Sequence, residues 1–279
     1  MLALTGRQER DGLHTLLSVM APVDFGDYLW LEARAINGAD TLACSQAEID
    51  TGPENLVLRA ATAFRQAVDL PCSLHFYLEK NIPIGAGLGG GSSDGAGALR
   101  LLNTTAGCPL SKDELCALAA QIGADCPFFI EPRPALASGY GEAIQSLAQE
   151  QARAISGQRV LLFKPHFSIS TAWAYGRLQA DHWQGRSAAE ARLKKWGEQP
   201  EQLDRLFVND LEQPVFDKYL ALPLLLETLR ERFGLACQMT GSGSACFAWV
   251  DDQAPIDAIR STIQEAWGAD TWLLETRFS

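Results

Sequence analysis

The chemistry open to this chain is concentrated between residues 85 and 97. They read Gly-Ala-Gly-Leu-Gly-Gly-Gly-Ser-Ser-Asp-Gly-Ala-Gly, with seven glycines in thirteen positions. Glycine gives up more backbone freedom on folding than any other residue, so a cluster this dense needs a compensating use. The use that fits is close approach of the backbone to an anion. Consecutive N–H groups at a helix N-terminus point at phosphate oxygens, and the helix dipole adds to the attraction. Ser92 and Ser93 contribute hydroxyls able to bond a phosphate or a magnesium ion. Apolar Pro83, Ile84 and Leu88, and the apolar helix that follows, favour an ordered turn over a flexible linker. Gly85-x-Gly87-x-x-Gly90 matches the dinucleotide fingerprint in form. The acidic residue which that fingerprint requires about 20 residues on falls instead at Asp113-Glu114, inside a predicted helix. No lysine follows the glycines, as a P-loop requires.

Other positions carry weaker chemical signals. Asp125 lies between a glycine turn and an apolar run. A carboxylate there can take the proton of a hydroxyl attacking a phosphate, although an Asp after a Gly-Ala turn is more often an ordinary cap or turn residue. Gly241-Ser242-Gly243-Ser244, just before a strand, either lets backbone approach a ligand or forms a hairpin turn. Thr171 and Tyr175 stand one helical turn apart on one face. The seven cysteines are scattered without a CxxC pair, which reads as reduced, buried thiols in a cytoplasmic protein. The four histidines show no metal spacing, so no protein-held metal site is expected.

The elements that must position these residues follow from pattern. Residues 25–31 and 73–78 are rich in aromatic and branched side chains and predict strands. A helix opens at Asn55, after Pro53-Glu54. Lys112 to Ile122 predicts a helix with Ser111 as N-cap and Glu114 three residues on. Residues 123–130 pass from a turn into a predicted strand. Composition shifts at 148–158, which marks a domain junction. Beyond it come predicted strands over 159–163, 246–250 and 271–276, and helices over 171–179, 187–196, 219–233 and 255–267. The polar stretch 180–205 reads as a solvated helical excursion. No solenoid-like repeat is present.

Bulk properties exclude several classes. With 279 residues, 47% hydrophobic and 20% charged, the chain has globular composition and length for one or two domains. Its net charge of −11 argues against nucleic-acid binding and against a basic membrane-surface helix. No apolar run reaches the roughly 18 residues of a membrane helix, and the first residues lack the pattern of a signal peptide.

The run from Pro83 to Asp94 resembles the central phosphate-binding motif of the GHMP kinases, the group of galactokinase and the homoserine, mevalonate and phosphomevalonate kinases. Gly6-Arg7 with Asp11-Gly12-Leu13-His14, Glu54-Asn55-Leu56-Val57, Gly123-Ala124-Asp125-Cys126-Pro127-Phe128-Phe129, Asn209-Asp210-Leu211-Glu212 and Met239-Thr240-Gly241-Ser242-Gly243-Ser244 fall in that family's order. The resemblance thus covers essentially the whole chain. It implies an α+β fold of two domains, 1–152 like ribosomal protein S5 domain 2 and 153–279 ferredoxin-like, with ligands between them. It implies ATP and Mg2+ as cofactors. Pro83, Gly85, Gly87, Leu88, Gly89, Gly90, Gly91, Ser92 and Ser93 would line the nucleotide, with Asn55 near adenine or ribose and Lys80 close by. Asp125 would be the catalytic base. Asn209 and Glu212 would be structural.

The same resemblance implies an acceptor carrying cytidine diphosphate. The expected reaction is phosphorylation of the 2-hydroxyl of 4-diphosphocytidyl-2-C-methyl-D-erythritol, a step of non-mevalonate isoprenoid synthesis. His14 would meet the cytosine edge, and Thr171, Tyr175, Gly241, Ser242 and Gly243 would complete the substrate side. Leu13 stands where the family carries a stacking tyrosine. It can cover a base but lacks aromatic stacking, worth on the order of 1 kcal/mol or more. A kinase for another small alcohol is therefore a second expectation. A third, a nucleotide-binding protein with impaired catalysis, follows from the family's opening Ala-Pro-Ala-Lys-Ile-Asn-Leu strand, of which only the tail matches Leu2-Ala3-Leu4-Thr5. Its lysine is expected to stabilise the moving phosphoryl group, and such a donor is worth roughly 10²–10³ in rate. A start upstream, a trimmed chain and a lost lysine all account for the difference. The expected assembly is a monomer or weak homodimer.

Overall fold

The computed structural model describes residues 1–279 apart from 9–11, 35–37, 180, 181 and 184, so Asp11 lies outside the described residues. The chain opens with β1 (Leu2–Arg7) and β2 (His14–Met20), an antiparallel pair. It continues through β3 (Tyr28–Arg34), β4 (Thr41–Cys44), α1 (Leu56–Ala67) and β5 (Ser73–Glu79). The glycine run then leads into α2 (Gly90–Thr105) and α3 (Lys112–Ile122), a 3-10 turn (Cys126–Ile130), β6 (Ala135–Gly139) and β7 (Ala143–Ser146). Two sheets result, in the orders β1-β2-β6-β7 and β3-β5-β4, with β4 parallel to β5.

Period-two alternation decides which face of the second sheet is buried. Leu29 and Leu31 of β3 face the core, while Tyr28 and Trp30 stand exposed beside Tyr77 of β5. Helices α1, α2 and α3 cover the inner face with Val57, Phe64, Leu99, Leu102, Leu118 and Ile122. α1 starts on Asn55, whose Oδ1 accepts the Val57 N–H. α3 starts on the expected Ser111–Glu114 capping box.

The second half holds α4 (Gln149–Ile155), β8 (Arg159–Lys164), α5 (Thr171–Gly176), α6 (Arg186–Glu198), α7 (Glu212–Phe216) and α8 (Ala221–Phe233). It ends with β9 (Cys237–Met239), β10 (Cys246–Trp249), α9 (Ile256–Trp267) and β11 (Trp272–Arg277). The sheet order β11-β8-β10-β9, all antiparallel and with helices inserted after β8 and β10, is the ferredoxin-like arrangement. Leu225, Leu229, Ile259 and Ile263 of α8 and α9 pack on its inner face.

Three local expectations need correction. Residues 126–130 form a 3-10 turn and not a strand, because Pro127 cannot donate to a ladder and the phenylalanines pack against α2 and α3. The strand expected at 25–31 begins at Tyr28: Val23 and Asp24 pair with Phe278 and Arg277 after and at the end of β11, and Asp27 turns to the N–H groups of Asn81 and Ile82. The stretch 180–205 is not merely solvated. Trp196 of α6 is fully buried with Met1, Ala3, Leu17 and Ile155, and its indole N–H donates to the Pro200 carbonyl. Mean polarity hides this single anchor. The expected junction at 148–158 is occupied by α4, whose Ile155 belongs to the same cluster. Among the described residues no helix is long and apolar enough to cross a membrane.

Candidate active site

The glycine run folds as a tight loop closed by contacts on two sides. At Gly87, with φ +72°, an added Cβ would sit 2.4 Å from the Thr240 carbonyl oxygen and 2.9 Å from the Gly243 nitrogen. The Thr240 hydroxyl donates to the Gly87 carbonyl at 3.1 Å, and the Ala245 N–H to that of Ala86 at 3.0 Å. At Gly89, with φ +70°, a Cβ would come within 2.7 Å of the Phe129 ring. Only glycine meets both the backbone conformation and the space at these positions. Gly85 lies against Ser168, whose hydroxyl donates to the Ile84 carbonyl at 3.0 Å. The glycines of 241 and 243 face the same seam, with Gly241 against the Gly87 carbonyl.

Gly89 is the N-cap of α2 and offers no side-chain acceptor. The first-turn N–H groups of Gly90, Gly91 and Ser92 therefore have no capping partner from it and point outward from the helix end. The Ser93 hydroxyl donates to the Gly90 carbonyl at 2.7 Å, and the Ser92 hydroxyl lies against the Cys126 thiol. That places the start of α2 beside Asp125. An open hollow of about 680 Å³ adjoins the entry to the loop, between residues 45–48, Asn81, Pro83, Ile84 and Trp272. Leu88 is half-buried in the loop.

Asp125 follows the C-cap of α3 and starts the 3-10 turn, whose Cys126 N–H donates to the Gly123 carbonyl. Its side chain is open to solvent yet crowded by protein, and this crowding pushes its carboxyl up from the ordinary carboxylate value. The β6–β7 turn reaches it at Gly141, where a Cβ would lie 2.9 Å from Asp125 Oδ1. Tyr175 is close enough for the Asp125 charge to add to burial in pushing its phenol up to about 12.

The expected substrate residues converge from three elements. The His14 ring, at the start of β2, lies 5.8 Å from that of Tyr175 in α5. His14 is buried and, among the described residues, its Nε2 has no hydrogen-bond partner; burial, followed by Arg7, lowers its pKa. A buried polar atom without a partner is costly, which leaves this nitrogen able to take one more hydrogen bond. Thr171 bonds the Ser242 hydroxyl at 2.8 Å, joining α5 to the loop that braces Gly87. Leu13 is exposed beside them.

Two expected nucleotide residues are placed differently from the rest. Asn55 spends one bond from each end of its amide on the chain, to Val57 N–H and the Asp50 carbonyl. Its second amide hydrogen and second lone pair take no part in these two bonds. The Lys80 side chain is buried and ion-paired to Asp27 and to Asp94, at 2.8 Å from the latter, so it does not present a free charge to a phosphate. Burial opposes its ammonium, but the two carboxylates outweigh this and raise its pKa. Asn209 and Glu212 are structural. Asn209 Nδ2 donates to the Met239 and Gly241 carbonyls, and Glu212 accepts the Met239 N–H.

Known proteins are similar to this chain in sequence and in fold. The profile of the GHMP kinases N terminal domain matches residues 55–131, and that of the GHMP kinases C terminal matches residues 187–269. A curated protein of a Synechococcus species, named 4-diphosphocytidyl-2-C-methyl-D-erythritol kinase, is 38% identical over 284 aligned positions, covering 95% of this chain and 89% of the relative. The chain belongs to the GHMP kinase family. A protein of the same name from Porphyromonas gingivalis is 33% identical, covering 92% of this chain and 91% of its own length. The crystal structure of a 4-(cytidine 5'-diphospho)-2C-methyl-D-erythritol kinase superposes with a TM-score of 0.73 at 31% identity, covering 100% of this chain and 96% of that one. Homoserine kinase from Cytophaga hutchinsonii, at 16% identity and TM-score 0.67 over 95% and 89%, shares the GHMP kinase fold.

Within this GHMP kinase several site residues escape the sequence pattern. Trp183 meets the His14 ring edge-on at 5.4 Å, from a stretch whose polarity masks it. Gly141 is fixed only by tertiary contact, and Phe129 lies inside a recognised motif that gives no sign of its contact with Gly89. Thr240 lies inside a recognised motif, but its bond to Gly87 depends on how the two halves meet. Asp27 carries a local sign, an acidic residue just before an aromatic strand, without indication of its partners.

Proposed function

We propose that this chain transfers the γ-phosphate of ATP to the 2-hydroxyl of 4-diphosphocytidyl-2-C-methyl-D-erythritol. The reading is carried by one observation, the convergence of the uncapped α2 N-terminus, Asp125 and the unpartnered His14 nitrogen on one cleft. The amides of Gly90, Gly91 and Ser92 suit the phosphate chain, where fixed dipoles stabilise developing charge without reorganising. The hollow beside Pro83 has room for the nucleoside. Asp125, as the carboxylate, takes the proton of the attacking hydroxyl. Neutral His14 offers a nitrogen to the cytosine edge, and Tyr175 a ring face to the pyrimidine. Thr171 and Ser242 set the position of α5 against the glycine seam.

Magnesium fits as an ion carried by the nucleotide. Mg2+ is ordinarily held by one or two carboxylates, phosphate oxygens and water. Asp125 and the Ser92 hydroxyl would be its oxygen donors from the chain, and the ion would neutralise phosphate charge there. Residues 1–152 and 153–279 act as two domains in this reading, each with its own helix-covered sheet. All seven cysteines are free, which suits a reducing cytoplasm.

The test is ADP release from purified protein and ATP against a panel of 4-diphosphocytidyl-2-C-methyl-D-erythritol, homoserine and mevalonate. Turnover with the cytidine compound alone is expected. Preference for another alcohol overturns the assignment.

A further inference from the structure

A charged triad with no place in the chemistry above lies buried directly behind the phosphate loop. The side chains of Lys80, Asp27 and Asp94 are 4%, 3% and 8% exposed. Lys80 follows β5 and Asp27 precedes β3, while Asp94 sits in the second turn of α2. The ammonium donates to Asp27 and, at 2.8 Å, to Asp94 Oδ2. The other oxygen of Asp27 accepts the N–H groups of Asn81 at 2.6 Å and Ile82 at 2.8 Å. A Cβ on Gly90 would lie 3.2 Å from Lys80 Nζ and 3.1 Å from Ile82, so the ammonium sits immediately beneath the first residue of α2. The backbone of Lys80 is held as well, by the Ser45 hydroxyl and the Gln46 amide.

These bonds have one geometric consequence. The chain entering the glycine loop at residues 80–82 and the helix leaving it at residues 90–94 are tied to a single point. Between the two ties, residues 83–89 contain glycines whose backbone has the widest freedom of any residue. The body of α2 is held by its packing on α1, α3 and the 3-10 turn, and the loop by Phe129 and residues 240–245, so the ties act on the first turn of α2 and on the chain that enters the loop. A buried ion pair is weak grounds for stability, because apolar replacements of similar volume are often neutral or stabilising. A role in setting geometry accounts better for three buried charges at this one place.

We propose that Lys80, Asp27 and Asp94 form a positioning triad for the phosphate loop, which fixes the α2 amides for ATP and touches no ligand. The proposal rests on the reading of this loop as the ATP site. It extends that reading by moving Lys80 from contact with nucleotide to support behind it.

The test uses the full chain. The first measurement is ADP and CMP binding to the wild type by calorimetry. Failure to bind ADP overturns the reading of the loop itself, before any variant is compared. The second is a neutral triple variant, Lys80→Met, Asp27→Asn, Asp94→Leu, in which the amide oxygen at position 27 still accepts the two backbone N–H groups. The expected result is a folded protein whose ADP affinity and KM for ATP are weakened tenfold or more, with CMP affinity within twofold of wild type. Single variants separate tie from charge. Asp94→Leu is expected to reproduce most of the loss, and Asp94→Asn, which keeps an oxygen for the ammonium, to recover most of it. A folded triple variant with wild-type ADP affinity overturns the proposal. So does equal damage to ADP and CMP binding, and so does a triple variant that fails to fold, since the triad then serves the whole fold and not the loop.

Discussion

Asp125 owes its chemistry to where the chain places it. The Gly123 turn, the following Pro127 and the close approach of Gly141 hold its carboxyl in a crowded but open position. Crowding raises its pKa above the ordinary 3.8, while catalysis as a base needs the ionised form. Activity should therefore fall as pH drops through this raised value, so the acid limb of the kcat/KM profile is expected above the range of an unperturbed aspartate. Asp125→Asn should cost about 10²–10⁴ in kcat with little change in ADP affinity. A profile flat down to an ordinary aspartate pKa would contradict the assignment. At this scale the sequence is informative about placement where a motif carries the residue: His14 and Asp125, from separate motifs, both come close to Tyr175. It leaves open which side of the glycine loop the Lys80 ammonium occupies, because proximity along the chain does not decide this.

At the scale of elements, glycines separate into those that geometry demands and those it does not. Gly87 has φ +72° and a carbonyl oxygen 2.4 Å from where its Cβ would stand. Gly97 lies within α2 and would meet nothing within 4 Å. Gly87→Ala should abolish most ADP binding and lower the melting temperature. Gly97→Ala should stabilise by about 0.5–1 kcal/mol through helix propensity, read as a raised denaturation midpoint at unchanged activity. The capping box of α3 and the alternation of β5 are legible because they are local patterns. The 3-10 turn at 126–130 is not, since an apolar run of five residues suits several conformations and only its packing under α2 and α3 selects one.

At the scale of the molecule, the parts meet through residues that composition conceals. Trp196 sits in a charged helix, yet it is fully buried against the first sheet and α4. Trp196→Ala should cost about 3–5 kcal/mol in a denaturant titration, and Trp196→Phe appreciably less. Glu212 ties α7 to β9, and burial pushes its carboxyl up to about 7. The folded state then holds this proton more tightly than the unfolded chain does, so between the unfolded value of 4.5 and about 7 its contribution to stability falls as pH rises. Glu212→Gln should flatten that dependence, measured as melting temperature against pH. The two-domain α+β plan is legible from motif order, whereas the seam is not, because its contacts join residues far apart in sequence.

In the proposed reaction this cleft moves a phosphoryl group from ATP to one hydroxyl of a cytidine-diphosphate alcohol. Phosphorus-31 NMR of the protein with ATP and 4-diphosphocytidyl-2-C-methyl-D-erythritol tests it most directly. The expected result is one new phosphomonoester resonance, from phosphate on the 2-hydroxyl, growing in equal amount to ADP and absent with Asp125→Asn. ADP formed without that resonance, or the same product from the Asp125→Asn variant at the wild-type rate, would contradict the account.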